Sequence, residues 1–190
     1  SKLTTLHFAP TADSKKNLVK EGFSDENIII TGNTGIDALN WVLHHSKTEE
    51  IEIPFEIKDT RMILVTGHRR ENFGEGFQQI CEALKTIADQ HSDVQIVFPL
   101  HLNPKVRDPV KRILSHLSNL HLVEPLEYPQ FVHLMNKSTL ILTDSGGVQE
   151  EAPSLGKPVL LMRDTTERPE AVKAGTVKIV GTNQQKIVDE

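Results

Sequence analysis

Short apolar runs recur along the chain with room for one helix between most of them. They are Ile28-Ile29-Ile30, Met62 to Val65, Val94 to Phe98, Leu120 to Val123, Leu140-Ile141-Leu142, Pro158 to Met162 and Val177 to Val180. Half-exposed strands alternate apolar and polar residues, so runs that are nearly continuously apolar predict strands covered on both faces. Between the runs, Phe77, Ile80, Cys81, Leu84 and Ala88 recur at helical spacing, as do Val106, Val110, Ile113, Leu114 and Leu117. Each set forms one apolar stripe of an amphipathic helix. The repeated order of strand then helix predicts an α/β fold of Rossmann-like type, with a mostly parallel sheet, right-handed crossovers and helices on both faces.

The pattern breaks between residues 46 and 60, where Ser46-Lys47-Thr48-Glu49-Glu50 and Pro54 form a polar, turn-prone stretch. That stretch is expected to be a linker. Residues 61–190 carry a full series of alternating elements, whereas residues 1–45 hold one or two strands and two helices, too little to enclose a core. The first 45 residues read as the tail of another domain and the start of the connection. Gln184 to Glu190 opens a helix that the chain does not finish, so the second domain is expected to be truncated.

At 190 residues, 37% hydrophobic and 25% charged, the chain suits one globular domain with an appendage. No apolar run approaches the roughly 20 residues that cross a bilayer, and Ser1-Lys2-Leu3-Thr4-Thr5 lacks the form of a signal peptide. No membrane insertion is expected, and the cytoplasm is the expected compartment. Cys81 is the single cysteine; it suits a reducing compartment, and beside Phe77 and Leu84 it reads as a small buried hydrophobe. A formal net charge of -5 argues against nucleic-acid binding, which needs a broad basic surface. The nine histidines form no recognisable metal-binding pattern, so neither metal nor cofactor is expected.

The candidate chemistry lies in loops that follow strands, where open α/β sheets carry their binding sites. Thr143-Asp144-Ser145-Gly146-Gly147-Val148-Gln149-Glu150-Glu151 follows the strand Leu140 to Leu142. A strand that ends in Ser-Gly-Gly and opens a helix presents backbone N–H groups suited to a phosphate, and glycine allows close approach. Glu151, about one turn further, could accept hydrogen bonds from a ribose diol; Glu150 reads as a solvated helix residue. The competing reading is a plain strand-to-helix turn. A second loop, Thr66-Gly67-His68-Arg69-Arg70-Glu71-Asn72, follows Met62 to Val65 and places a histidine and fixed positive charge toward the same crevice. A third, Leu161 to Glu170, puts Arg168 at a helix entrance before Pro169, where it could contact phosphate or pair with Glu167 or Glu170. His101 either faces the crevice or serves the entry of the next helix.

These loops, with Thr31-Gly32-Asn33-Thr34-Gly35-Ile36-Asp37 and His101-Leu102-Asn103-Pro104, occur in an order that resembles the bacterial non-hydrolysing UDP-N-acetylglucosamine 2-epimerases across essentially the whole chain. The resemblance implies the second domain of a glycosyltransferase-B-like two-domain architecture, with residues 61–190 binding UDP. Ser145, Gly146 and Gly147 match the family's diphosphate turn, Glu151 its ribose-binding carboxylate and Arg168 a phosphate-side arginine. Phe131 matches a residue of the uracil pocket, and His68 the active-site histidine. Leu126 stands where some members have glutamine near the base.

What the family implies is interconversion of UDP-N-acetylglucosamine and UDP-N-acetylmannosamine by elimination and re-addition of UDP, in a homodimeric full-length enzyme. Its acid/base carboxylates lie in the first domain, and nothing in residues 1–45 matches them, so this chain is expected to bind UDP but to be inactive alone. A glycosyltransferase of similar architecture and a noncatalytic nucleotide-sugar-binding module are the alternatives.

Overall fold

The computed structural model describes residues 3–46 and 51–190. It divides into two compact units, residues 1–41 and 42–190. Part of the expected linker, residues 47–50, lies outside the described residues.

In the first unit, β1 (His7–Ala9) pairs in parallel with β2 (Ile28–Ile30), and α1 (Ala12–Lys20) packs on both. Thr11 caps α1 by accepting a hydrogen bond from the Ser14 N–H. Helix α2 (Thr34–His45) begins in this unit and ends in residues 42–45 of the second, its first turn organised by Asn33, whose side chain accepts from the Gly35 N–H. Strand β1 escapes the apolar-run reading because His-Phe-Ala carries one large hydrophobe, and Phe8 itself is exposed.

The second unit is built as the sequence pattern predicts. The chain runs β3 (Arg61–Thr66), α3 (Glu75–Gln90), β4 (Val94–Pro99), α4 (Pro104–Leu114), β5 (Leu120–Val123), α5 (Tyr128–Lys137) and β6 (Leu140–Thr143). It continues through α6 (Val148–Ser154), β7 (Val159–Leu161), α7 (Pro169–Lys173), β8 (Val177–Ile179) and α8 (Gln184–Asp189). Six strands form one sheet in the order β5-β4-β3-β6-β7-β8, and every pair is parallel. Each apolar run of the sequence falls on a strand. The second helical stripe is shorter than predicted, however: α4 ends at Leu114 with Ser115 as its cap, and Leu117 packs against the core from the following turn.

Side chains alternate across the sheet. Val65, Val94, Ile96, Phe98, Leu142 and Leu160 share a core with the predicted stripes of α3 and α4 and with Ile187 of α8. Met62, Leu64, Val97, Ile141, Val159 and Leu161 are the alternate positions and are equally buried, on the side served by α5 and α6, which contact β3, β6 and β7. The sheet is therefore covered on both faces. Within that core the Cys81 thiol is pushed up to about 12, first by desolvation and then by Glu82, so it is an inert apolar group rather than a nucleophile. The described part of the expected linker lies against the sheet: buried Gln95 donates to the Glu56 carbonyl, accepts from Lys58 N–H and reaches His121 Nε2 at 3.0 Å.

The strand order reverses direction between β3 and β6, since successive strands add outward from β3 on one side and from β6 on the other. Crossovers on the two sides leave the sheet in opposite directions there, which opens a crevice beyond the carboxyl ends of those two strands. This topological switch point positions the site.

Candidate functional site

A crevice of about 620 Å³ opens at the switch point, lined by the ends of β3, β4 and β6 and by α5 and α6. His68, Ser145, Glu151 and Phe131, named from sequence, all line it, as do His101, Leu100, Leu126, Tyr128 and Val148. A second open groove of about 780 Å³ between the starts of α3 and α4, lined by Phe73, Lys105, Asp108 and Arg112 among others, lies away from the switch point.

The crevice floor is a set of hydrogen bonds between the two central strands. Thr66 Oγ1 and Thr143 Oγ1 are 2.6 Å apart, and Thr143 Oγ1 accepts from the Ser145 N–H at 3.0 Å. Asp144, wholly buried, accepts on Oδ2 from the backbone N–H of His68 at 2.9 Å and of Arg69 at 2.8 Å. Asn72 Nδ2 donates to the same oxygen and to the Met162 carbonyl. The loop after β3 is thus fastened to the ends of both β6 and β7. The His68 ring, half-exposed, stacks on His101 with centroids 5.5 Å apart. His101 Nδ1 in turn accepts from the Asn103 N–H at the entrance of α4. Both roles left open for His101 by the sequence are therefore filled by one residue.

The glycine turn is open. Gly147 has ordinary helical angles, φ −67° and ψ −44°, and a Cβ built on it would meet no atom within 4 Å. At Gly146 a Cβ would lie 3.5 Å from Arg69 Nη2, an ordinary contact. Neither backbone conformation nor packing within the chain calls for glycine at these positions; the bare backbone leaves room for something to approach it. The backbone N–H groups of Gly146 and Gly147 take no partner among the described residues, and the Arg69 guanidinium borders the turn.

Arg168 does not line this crevice, but a relay ties it to the turn. Gln149, also wholly buried, donates to the Ser145 carbonyl at 3.1 Å; Thr166 Oγ1 donates to Gln149 Oε1 at 2.5 Å and accepts from the Arg168 N–H at 2.9 Å. The Arg168 guanidinium pairs with Glu150. Glu150 is consequently an ion-pair partner, not the solvated helix residue read from sequence, because α6 turns it toward the third loop. Glu167 pairs instead with buried Arg163, which also holds Glu71. That double ion pair links the His68 loop to the Arg168 loop. The Arg163 hydrogen bond, the largest cause, holds the Glu167 carboxyl below its usual range, and Arg163 itself is raised, first by Glu167.

Opposite the turn, Tyr128 at the start of α5 donates its hydroxyl to Glu151 Oε1 at 2.9 Å. Desolvation first, then the hydrogen bond and charge of Glu151, push this phenol up to about 12. Tyr128 therefore remains an O–H donor near neutral pH, orienting Glu151 while leaving its second oxygen to the crevice. Half-buried Phe131, one turn along α5, and Leu126 make the adjacent wall apolar. Sequence reasoning missed Tyr128, Gln149, Thr166 and Arg163. The only signal available for Tyr128 was its helical spacing, three residues before Phe131. Among the described residues no group of three or more His, Cys, Asp or Glu side chains could hold a metal ion, and no helix is long and apolar enough to cross a membrane.

The fold and site define an open, parallel α/β domain with a crevice at its topological switch point, a glycine turn bordered by Arg69 at one end and an apolar wall at the other. A family model described as UDP-N-acetylglucosamine 2-epimerase matches residues 1–190, and the chain belongs to that family. It is 60% identical over 195 residues to the UDP-N-acetylglucosamine 2-epimerase of Escherichia coli O157:H7, covering 99% of this chain and 52% of that protein. The crystal structure of the Neisseria meningitidis enzyme bound to UDP-GlcNAc matches with a TM-score of 0.94 at 52% identity, over 99% of this chain and 52% of that one. The Methanocaldococcus jannaschii enzyme in complex with UDP-GlcNAc and UDP matches with a TM-score of 0.83 at 32% identity, over 99% and 53%. The chain spans about half the length of the curated relatives it matches.

Proposed function

We propose that this chain is the UDP-binding, C-terminal domain of a UDP-N-acetylglucosamine 2-epimerase with a glycosyltransferase-B-like two-domain architecture. One observation carries the reading: two glycines that the chain's own packing does not require stand at the switch point between Arg69 and a half-exposed carboxylate, Glu151. A diphosphate fits over the Gly146–Gly147 backbone, with Ser145 and Arg69 as further donors, while Arg168, matched by the resemblance to a phosphate-side arginine, bears on the turn through Thr166 and Gln149. The ribose diol then reaches Glu151, and the base lies on Phe131. The Neisseria and Methanocaldococcus relatives, bound to UDP-GlcNAc, support this choice of ligand.

In the complete enzyme a base removes the proton from sugar C2 as the C1–O bond breaks, UDP leaves, and a glucal with a C1–C2 double bond remains. Reprotonation of C2 on the opposite face and return of UDP to C1 give the manno epimer. His68 and the diphosphate contacts stabilise charge that develops on the leaving β-phosphate. The acid/base carboxylates belong to the other domain, so the 190-residue chain binds UDP without turning over the sugar. On the family resemblance, the whole enzyme is a cytoplasmic homodimer that uses no metal or cofactor.

Titrating the labelled chain with UDP should shift the amide resonances of residues 67–69, 145–147, 151 and 168 together. Tyr128→Phe, which removes one hydrogen bond to Glu151, should weaken binding about threefold to tenfold. Shifts confined to other surfaces, such as the groove of Phe73 and Arg112, would overturn the assignment.

A further inference from the structure

At the carboxyl end of β6, Asp144 is completely shielded from solvent, a costly place for a carboxylate unless its oxygens are used. They are used unequally. Oδ2 gathers three donors, the backbone N–H groups of His68 and Arg69 and the side chain of Asn72. Oδ1 takes no hydrogen bond among the described residues, and it lies 3.5 Å from His68 Nδ1.

We propose that Asp144 is the positioning residue of His68: Oδ2 fixes the backbone of its loop, and Oδ1 accepts Nδ1–H, so that Nε2 is the nitrogen offered to the crevice. This rests on the reading of the crevice as the epimerase site. The charged and titratable groups around His68 are Asp144 from the end of β6, His101 from the loop after β4, Arg69 beside it in sequence, and Glu151 and Tyr128 on α6 and α5, which line the same crevice. His101 stacks face to face, with 17° between the rings, and its Nδ1 is already an acceptor for Asn103. A stacked ring offers no in-plane partner. Asp144 is the carboxylate whose oxygen lies near Nδ1, and it approaches with that oxygen unsatisfied.

The partner of one imidazole nitrogen decides which nitrogen carries the proton in the neutral ring. With Nδ1–H directed at Asp144, Nε2 is free to take a proton and to donate it toward an anionic oxygen in the crevice. The buried carboxylate then balances the imidazolium. Asp144 need not touch substrate to do this; it acts through His68.

Asp144→Asn separates the two tasks. Three donors require an oxygen in the Oδ2 position, so the amide carbonyl turns there and the backbone hold survives. The amide NH₂ is then left facing His68 Nδ1, which can only accept from it, and the ring is forced to the Nε2–H form. In UDP-bound chain labelled with ¹⁵N-histidine, at about pH 9 where a typical imidazole is neutral, the nitrogen shifts of His68 should show Nδ1–H in the wild type and Nε2–H in the variant. In the full-length enzyme D144N should lower the epimerisation rate about 10²- to 10³-fold, in the manner of a histidine held in the wrong tautomer, while UDP affinity changes less than about threefold. In a His68→Ala background the same substitution should cost less than about twofold, since its route to the reaction is gone.

An Nε2–H wild type overturns the proposal, and this measurement does not depend on the variant folding. So does a D144N enzyme that keeps both tautomer and rate, or one that loses a further tenfold without His68. If the full-length enzyme epimerises nothing while the wild-type chain shows Nδ1–H, the reading of the reaction fails and the pairing of Asp144 with His68 stands.

Discussion

Glu151→Ala lowers the affinity of the chain for UDP by about 10- to 100-fold. A hydrogen bond to a charged group contributes about 1.5 to 3 kcal/mol, and every 1.4 kcal/mol is about tenfold in affinity. Tyr128 occupies one oxygen of Glu151 and keeps the carboxylate aimed, so little ordering cost remains when the ribose binds. Glu151 lies on the crevice side of α6 outside the hydrophobic core. The variant should keep the wild-type unfolding midpoint within a degree or two. Calorimetric titration with UDP and with 2′-deoxy-UDP checks the role: the wild type should discriminate between them and the variant should not. Equal UDP isotherms for the wild type and the folded variant would contradict it.

The second large effect is at His68. In the full-length enzyme, His68→Ala should slow epimerisation about 10²- to 10⁴-fold, the range for a positioned proton-transfer group, and weaken UDP binding no more than about threefold. The asymmetry follows from position. The ring is half-exposed and lines the crevice rather than belonging to the glycine turn, so in the proposed reaction it meets the leaving group chiefly as charge develops there. Steady-state rates and UDP inhibition constants separate the two; turnover near that of the wild type would withdraw the assignment.

Much of the fold was legible in the residues because a doubly covered parallel sheet writes each strand as a short apolar run. Met62 to Val65 and Leu140 to Leu142 could hardly be anything else between polar loops. The periodicity could not reveal the strand order, since apolar runs say nothing about which strand neighbours which; that β3 lies beside β6 appears only in the assembled sheet. The loops after these strands were legible for a related reason, as parallel sheets place chemistry at strand ends. His68, Ser145 and Glu151 share a crevice as expected.

What stayed hidden is long-range pairing. Asp144 and the His68 N–H are 76 residues apart, and Arg163 and Glu71 are 92 apart. In the sequence Asp144 looks like an ordinary polar residue at a strand end. Only the fold shows it buried with three donors on one oxygen. Arg168 illustrates the opposite error: neighbours in sequence, Glu167 and Glu170, were the obvious partners, yet Glu150 on α6 holds it and Arg163 takes Glu167.

The central claim, that this crevice serves UDP elimination and re-addition across sugar C2, is tested most directly by incubating UDP-N-acetylglucosamine in D₂O and following C2 by NMR. With the full-length enzyme, deuterium should appear at C2 together with the manno epimer. His68→Ala should slow both about 10²-fold or more. The 190-residue chain alone, at high concentration, should bind the nucleotide sugar and give neither product, because inversion needs a base and an acid on opposite faces of the ring. A full-length enzyme that leaves the C2 proton untouched while binding UDP-N-acetylglucosamine would contradict the claim. Enzyme-dependent exchange by the chain alone, lost in His68→Ala, would instead place the acid/base pair within these 190 residues.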